Sequence, residues 1–265
     1  MNGWAAVRGT IRNSLRTSWS YRLDMVMAVA GLWIQVWLLG VVWRSVYGDS
    51  ASVNGIDPGQ AVSYAVLAAC LQAAMMPWRF SALEARVRNG QVGVDMTRPL
   101  GLVPQVLAQN VGTFLAQLPI TVAGLAWAVL TGRLTLPPSA GAVLPWLLAM
   151  LLGVVITLLM NLLMSLTCFW SLEIGGYMML YRLGSGLLSG ALIPLWFMPG
   201  WFATVLDWLP FRAQMFTPLS IYFGQLDGAS AWLAIAGQVA WIAMLAGLTH
   251  LVWLRAERRV VVLGG

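Results

Sequence analysis

The chain contains no lysine, a single histidine and two cysteines, and charged side chains of either sign make up only 9% of its 265 residues. Each shortage excludes a class of chemistry. A glycine-rich phosphate loop ending in Gly-Lys-Ser/Thr cannot be built without lysine. With His250 as the sole imidazole, neither a hydrolytic triad nor a histidine-based metal cluster can be assembled. Cys70 and Cys168 both fall in apolar surroundings and read as small buried hydrophobes, not as a disulfide. The middles of the apolar segments hold no Asp or Glu, whereas proton- or sodium-driven carriers usually place a carboxylate there as the coupling site. Energy for any uphill movement must therefore arrive from another chain.

What fills the sequence instead is apolar surface, at 60% of residues, and soluble proteins carry about 25% charged residues. No water-soluble core of this length could hide so much. Six runs lack Asp, Glu, Lys and Arg altogether: Met25 to Trp43, Pro58 to Trp78, Pro99 to Gly132, Leu134 to Leu172, Leu183 to Leu206 and Gly228 to Leu254. A membrane span needs roughly 20 apolar residues, so each run can hold one. In lipid every backbone group must pair within its own helix. The fold class expected is an all-α integral membrane protein of six transmembrane helices, forming one domain over residues 1–265. The first run is too long for the apolar core of a secretory signal, so it stays in the membrane.

The net charge of +6 reports topology rather than a nucleic-acid partner. With a cytoplasmic N-terminus and six crossings, 12 of the 15 arginines fall on the inner side, and only Arg44, Arg133 and Arg212 fall outside. This is the positive-inside asymmetry. Both termini are thus expected in the cytoplasm of a bacterial cell, with the chain in its plasma membrane. Most tryptophans agree, since Trp43, Trp127, Trp146, Trp196, Trp201, Trp208 and Trp232 fall near the outer boundary and Trp78, Trp170 and Trp253 near the inner one.

Residues 3 to 20 read as an interfacial helix within an N-terminal segment of residues 1–24. Trp4, Val7, Ile11, Leu15 and Trp19 form an apolar stripe flanked by Arg8, Arg12 and Arg16, which suits a helix in the headgroup layer. Residues 79–102 make the longest inner connection. It packs Glu84, Arg86, Arg88, Asp95 and Arg98 around a break at Asn89-Gly90. The fourth span is expected to end near Glu173, and Arg182 to lie about a turn into the fifth helix. Pro194, Pro199-Gly200, Trp201 and Pro210 then interrupt an apolar stretch. Because the number of crossings is even, residues 194–224 should enter the outer leaflet and turn back, between spans five and six.

Uncharged polar residues do occur at depth: Gln35, Gln72, Asn110, Gln117, Thr157, Asn161 and Gln238. They serve either interhelical hydrogen bonding or a path for cargo. Gln35, Gln72 and Asn161 are candidates for that path. Trp33 and Trp37, a turn apart in mid-span, either line the same path or face lipid and pack.

Three segments carry a resemblance: Ser20-Tyr21-Arg22-Leu23-Asp24 before the first span, Glu84 to Gly90 running to Thr97-Arg98-Pro99, and Ser189 to Trp201 followed by Leu209-Pro210-Phe211 and Pro218 to Gly224. In order and spacing on a six-span frame they resemble the permease subunits of ABC-2 exporters, in the branch of about 260 residues that works with a second permease and a separate ATPase. The resemblance implies that residues 1–24 form a connecting helix and that Glu84, Arg86, Arg88, Asp95 and Arg98 belong to a coupling helix seated in the ATPase. Glu173 would add a smaller contact, and Pro194, Pro199, Gly200, Trp201 and Pro210 would shape a re-entrant external hairpin. It implies half of an efflux pathway, no catalysis on this chain, and ATP with Mg on a dimeric ATPase partner. It also implies a second permease protomer, related rather than identical, and hydrophobic or amphipathic cargo such as a drug-like compound or lipid. The competing readings are an ATP-independent channel or secondary carrier, and a non-transporting anchor or signalling subunit.

Overall fold

In a computed structural model the described residues are 3–48, 51–53, 55–76, 83–96, 100–171 and 174–263. Apart from one isolated bridge between Val53 and Ile56, they form helices, turns and loops. The elements are α1 (Gly3–Ser20), α2 (Arg22–Tyr47), α3 (Pro58–Met75), α4 (Leu83–Arg88), α5 (Val92–Met96), α6 (Leu102–Leu130), α7 (Val143–Leu166), α8 (Gly175–Leu188), α9 (Gly200–Asp207), α10 (Pro210–Gln214), α11 (Phe216–Tyr222) and α12 (Gly228–Leu263). Short 3-10 turns precede α7, follow it at Thr167–Phe169, and precede α9 at Leu195–Phe197.

Four helices are long and apolar enough to cross a membrane: α2, α6, α7 with its flanking turns, and α12. Their outer faces match a lipid solvent. Leu23, Val26, Met27 and Ile34 on α2 and Leu233, Val239, Met244 and Leu251 on α12 are all exposed, an apolar surface no water-soluble monomer carries. The third and fourth charge-free runs each hold one helix plus apolar loop, α6 and α7. α3 has 18 residues and α8 only 14, about 27 and 21 Å at 1.5 Å per residue. α3 starts sharply because Pro58 occupies its first turn and the Asp57 carboxylate accepts from the Gln60 amide at 2.9 Å.

Close packing is set by small residues. A Cβ on Gly124 of α6 would overlap Leu32 of α2 and lie 3.0 Å from Cys70 Sγ of α3, while Thr121 donates to the Cys70 carbonyl at 2.9 Å. These contacts draw α2, α3 and α6 into one group with a shared core of Leu32, Val36, Val62, Val66, Cys70 and Ile120. α7 and α12 form a second pair, joined through Gln238, which donates to the Ala149 carbonyl at 2.9 Å. The two ends of the bundle are distinct. One carries α4 and α5; the other carries the loop at 131–139, whose Thr135 carbonyl accepts from Tyr222 and whose Arg133 carbonyl accepts from Ser63.

One expectation needs correction. The fifth apolar run, Leu183 to Leu206, is not one helix. The helix begins earlier, at Gly175, and ends at Leu188, so Arg182 lies two turns inside it. It stops because Gly190 adopts φ +77°, where a Cβ would also meet the Tyr64 hydroxyl at 3.0 Å, and Pro194 follows. The irregular segment therefore starts about five residues before Pro194. The middle of the N-terminal stripe rests on the bundle, while its two ends do not. α1 packs on α6 through Ile11 and Ser14, which a Cβ on Gly112 would meet at 2.9 and 2.6 Å, whereas Trp4 and Trp19 stay exposed.

Candidate functional site

A cavity of about 520 Å³ separates α8 from the α2–α3–α6 group. Its polar lining is Gln35 of α2, Gln72 of α3, Gln117 of α6 and Arg182 of α8; Leu32, Ile120, Leu183 and Leu192 are among its apolar walls. The three amides come from different helices, and none makes a side-chain hydrogen bond among the described residues. Gly186 lets α8 come close on this side, because a Cβ there would stand 3.1 Å from Gln72 Nε2. Arg182 is tied to the same wall. Its Nη2 donates to the Met76 carbonyl at 2.7 Å, and Met76 is the C-cap of α3. The last carbonyls of a helix lack intrahelical donors and carry the negative end of its dipole, so the C-terminal end of α3 is a favourable place for a guanidinium.

The structure thus brings together Gln35 and Gln72, and joins to them Gln117 and Arg182, which the sequence alone does not assign to one site. Trp33 and Trp37 do not line the cavity. Trp33 donates from Nε1 to the Ala123 carbonyl at 3.1 Å and stacks on Trp127 with ring centroids 5.0 Å apart, so it packs α2 on α6. Trp37 is half exposed on the outer face of α2. Asn161 is buried on α7, outside the cavity lining, with its Oδ1 lacking a partner among the described residues.

At the α4–α5 end, Gly90 with φ +68° turns the chain between two short helices. Arg86 Nη1 and Asp95 Oδ2 close that turn at 3.2 Å, with their side chains 15% and 8% exposed. The Asp95 carbonyl accepts from Gln105 Nε2 at 3.1 Å, which fastens α5 to the first turn of α6. Leu83 and Val92 are buried among Leu102, Val106, Leu162 and Phe169. The segment is therefore a small rigid body keyed into the ends of α6 and α7, with Glu84 half-buried and Arg88 exposed on its surface. Arg98 and Glu173 lie outside the described residues. Beside it, Arg259 near the end of α12 stands over the Trp170 ring at 6.0 Å.

At the other end the chain between α8 and α12 folds back on itself. α9 displays Trp201, which is 71% exposed, and Trp208. α10 returns to the middle of α7, where the Gln214 carbonyl touches the Gly153 backbone so closely that any Cβ would collide with it. The Gln214 side chain is buried. Its Oε1 accepts from Ser185 Oγ at 3.2 Å and Thr157 Oγ1 at 3.4 Å, and its Nε2 donates to Met160 Sδ at 2.7 Å. Gln238 of α12 donates to the Ala213 carbonyl at 2.7 Å. Arg212 pairs with Asp207 and lies 5.0 Å over the Phe216 ring. Tyr64 donates to the Gly190 carbonyl at 3.0 Å and meets Trp196 edge-on at 4.7 Å. Pro210 opens α10, Pro199 and Gly200 open α9, and Pro194 introduces the turn before it. Irregular backbone in an apolar interior is tolerated only where protein satisfies it, and Gln238 does that for the Ala213 carbonyl, while Gln214 ties the segment to Ser185, Thr157 and Met160 through its side chain. Gln214 is the residue the sequence hides best; its one signal is an amide between Pro210 and Pro218 in apolar surroundings.

No curated protein sequence matches the chain. A family model described as ABC-2 family transporter protein matches residues 34–264. That match takes in the α4–α5 segment, the folded-back segment and all of the cavity lining except Ala28, Gly31 and Leu32, so the chain belongs to the ABC-2 family of transporter proteins.

Proposed function

We propose that this chain is the permease subunit of an ATP-driven exporter, forming half of the membrane pathway and receiving its power stroke at α4–α5 from a separate ATPase dimer. Six crossings are completed by α3 and by α8 joined to its hairpin. Both termini and α4–α5 face the cytoplasm, and the membrane is a bacterial plasma membrane. ATP and Mg belong to the partner, and the second half of the pathway comes from a related permease. The cargo is hydrophobic or amphipathic and enters by the cavity beside Gln35, Gln72, Gln117 and Arg182.

The observation that carries this reading is the keyed α4–α5 segment. Arg86 and Asp95 stiffen it, Gln105 ties it to α6, and Leu83 and Val92 anchor it in a buried core. A push on such a body moves α6 and α7 rigidly, because packed cores transmit displacement rather than absorb it. The test is reconstitution with the ATPase in vesicles. Since Arg86 is committed to Asp95, the variant that alters only the docking surface is Glu84→Ala with Arg88→Ala. ATP hydrolysis should persist while its stimulation by cargo and the export itself fall about tenfold or more. Unaltered cargo-stimulated hydrolysis and export would refute the coupling role.

A further inference from the structure

The break between α1 and α2 at Tyr21 makes an elbow, and an open hollow of about 690 Å³ lies against it. Three of its six lining residues are arginines: Arg12 and Arg16 of α1, and Arg22, which opens α2. Leu15, Trp19 and Ser20 complete the lining. Ser20 Oγ donates to the Arg16 carbonyl at 2.9 Å and so closes the last turn of α1. Arg12 and Arg16 stand one helical turn apart and share a face of α1, and the elbow adds a third guanidinium from the next helix. All three are exposed, and none pairs with a carboxylate among the described residues. The acid nearest in sequence, Asp24, lines a separate hollow of about 170 Å³ with Ser18, Tyr21 and Met25 against Thr113 and Gln117 of α6. Like charges gathered in this way repel one another, and an anion between them relieves the repulsion.

We infer that this elbow holds the phosphate of an anionic phospholipid, its oxygens between Arg12, Arg16 and Arg22 and its acyl chains along the outer face of α2. The inference goes beyond the transport reading and does not rest on it; it needs only that α2 spans a bilayer. The surroundings favour lipid over a protein partner. Trp19 is 54% exposed beside the arginines, the setting of an interfacial indole. Beyond Arg22 the exposed surface of α2 is apolar at Leu23, Val26 and Met27, with Asp24 the one acid among them, so the hollow sits where the lipid-facing surface begins. The chemistry then selects among lipids. A guanidinium presents its donors as a planar fork matched to phosphate oxygens, and such charge-assisted bonds are about twice as strong as neutral ones. A zwitterionic headgroup brings its own cation to compete with the arginines, whereas a headgroup of net negative charge does not. Because α1 is seated on α6 where Ile11 and Ser14 meet Gly112, the backbone carrying two of the three arginines is already in position, which lowers the ordering needed on binding.

The test is native mass spectrometry of the full chain in neutral detergent, titrated with dioleoyl phosphatidylglycerol and, separately, with dioleoyl phosphatidylcholine. The first phosphatidylglycerol should bind at least about tenfold more tightly than the first phosphatidylcholine. Arg12→Gln and Arg22→Gln, on different helices, should each reduce its affinity roughly fivefold, the gain of one basic residue near an anionic surface. The triple variant Arg12→Gln, Arg16→Gln, Arg22→Gln should erase the preference, and the single variants keep the test decisive if the triple one folds poorly. As a control, Arg255→Gln with Arg258→Gln removes two exposed arginines near the end of α12 and should leave the preference intact. Equal binding of the two lipids by the native chain, or a preference that survives the triple variant, would overturn the inference. So would an equal loss in the α12 control, which would reduce the effect to net charge. Displacement of the lipid by equimolar glycerol phosphate would mark a site for soluble anions instead. Loss of ATPase co-elution by the triple variant, with its lipid preference unchanged, would assign the arginines to an acidic protein surface and equally refute the lipid site.

Discussion

Gln214 and Gln238 both fasten the folded-back segment, yet their replacement should differ in cost, and the difference follows from which of their atoms are satisfied. Gln214→Leu removes three contacts, from Ser185 and Thr157 to Oε1 and from Nε2 to Met160 Sδ. Thr157 keeps its bond to the Gly153 carbonyl at 2.9 Å, but the buried Ser185 hydroxyl loses its bond to Oε1. Interhelical polar contacts in membranes average about 0.6 kcal/mol, so three lost contacts cost about 2 kcal/mol. Gln238→Leu removes two bonds, to the Ala149 and Ala213 carbonyls, and at the same time removes a buried Oε1 that has no partner among the described residues. Relief of that orphan offsets part of the loss, leaving about 1 kcal/mol or less. Cys70 and Cys168 supply the assay, since both are buried and become accessible to a thiol-reactive dye only on unfolding. At roughly 2–4 °C per kcal/mol for a domain of this size, Gln214→Leu should lower the midpoint by about 5 °C and Gln238→Leu by about half as much. Equal shifts, or a larger one for Gln238→Leu, would show that counting satisfied atoms is the wrong basis for the hairpin's stability.

Gly124→Ala should be destabilising by about 1–3 kcal/mol through overpacking against Leu32 and Cys70, whereas Gly40→Ala should cost less because the atoms nearest its added carbon belong to the Arg133 side chain, which can swing aside; the same dye melt compares them. Gly112→Val should lift α1 from α6, because the added carbons meet the Ile11 carbonyl; faster tryptic cleavage at the exposed Arg8 and Arg12 would report it, and native cleavage rates would refute it. Asp95→Ala should loosen the α4–α5 turn by leaving Arg86 without its carboxylate, and the exchange Arg86→Asp with Asp95→Arg should restore part of the lost cargo-stimulated hydrolysis, where no recovery would deny that the pair acts as a strut.

Charge patterns carried much of the architecture in advance, and where they failed the reason is physical. Runs without charge located α2, α6, α7 and α12, because in lipid an unpaired ion is too costly to leave within a span. The same rule misplaced the start of α8. Arg182 was expected about one turn into the helix, yet it lies two turns inside, where it donates to the Met76 carbonyl at the C-terminus of α3, and that carbonyl's position depends on the fold of another helix. The Asn89-Gly90 break and the chain breaks at Pro194, Pro199 and Pro210 were legible because turns are written in local backbone preference. The convergence of Gln35, Gln72 and Gln117 was legible only as three separate amides. Nothing in a sequence says which faces of three helices will turn toward a fourth, and here that is decided by Gly124 and Gly186, whose missing side chains set how near α2, α3 and α8 approach. For Trp33, left open between lining a path and packing, the structure shows packing. An indole in mid-span invites a role in a pathway, but its N–H already has the Ala123 carbonyl and its face already has Trp127. A polar atom at depth points to a ligand only when the protein leaves it unanswered, and that condition separates Gln35, Gln72 and Gln117 from Trp33, Thr157 and Gln214.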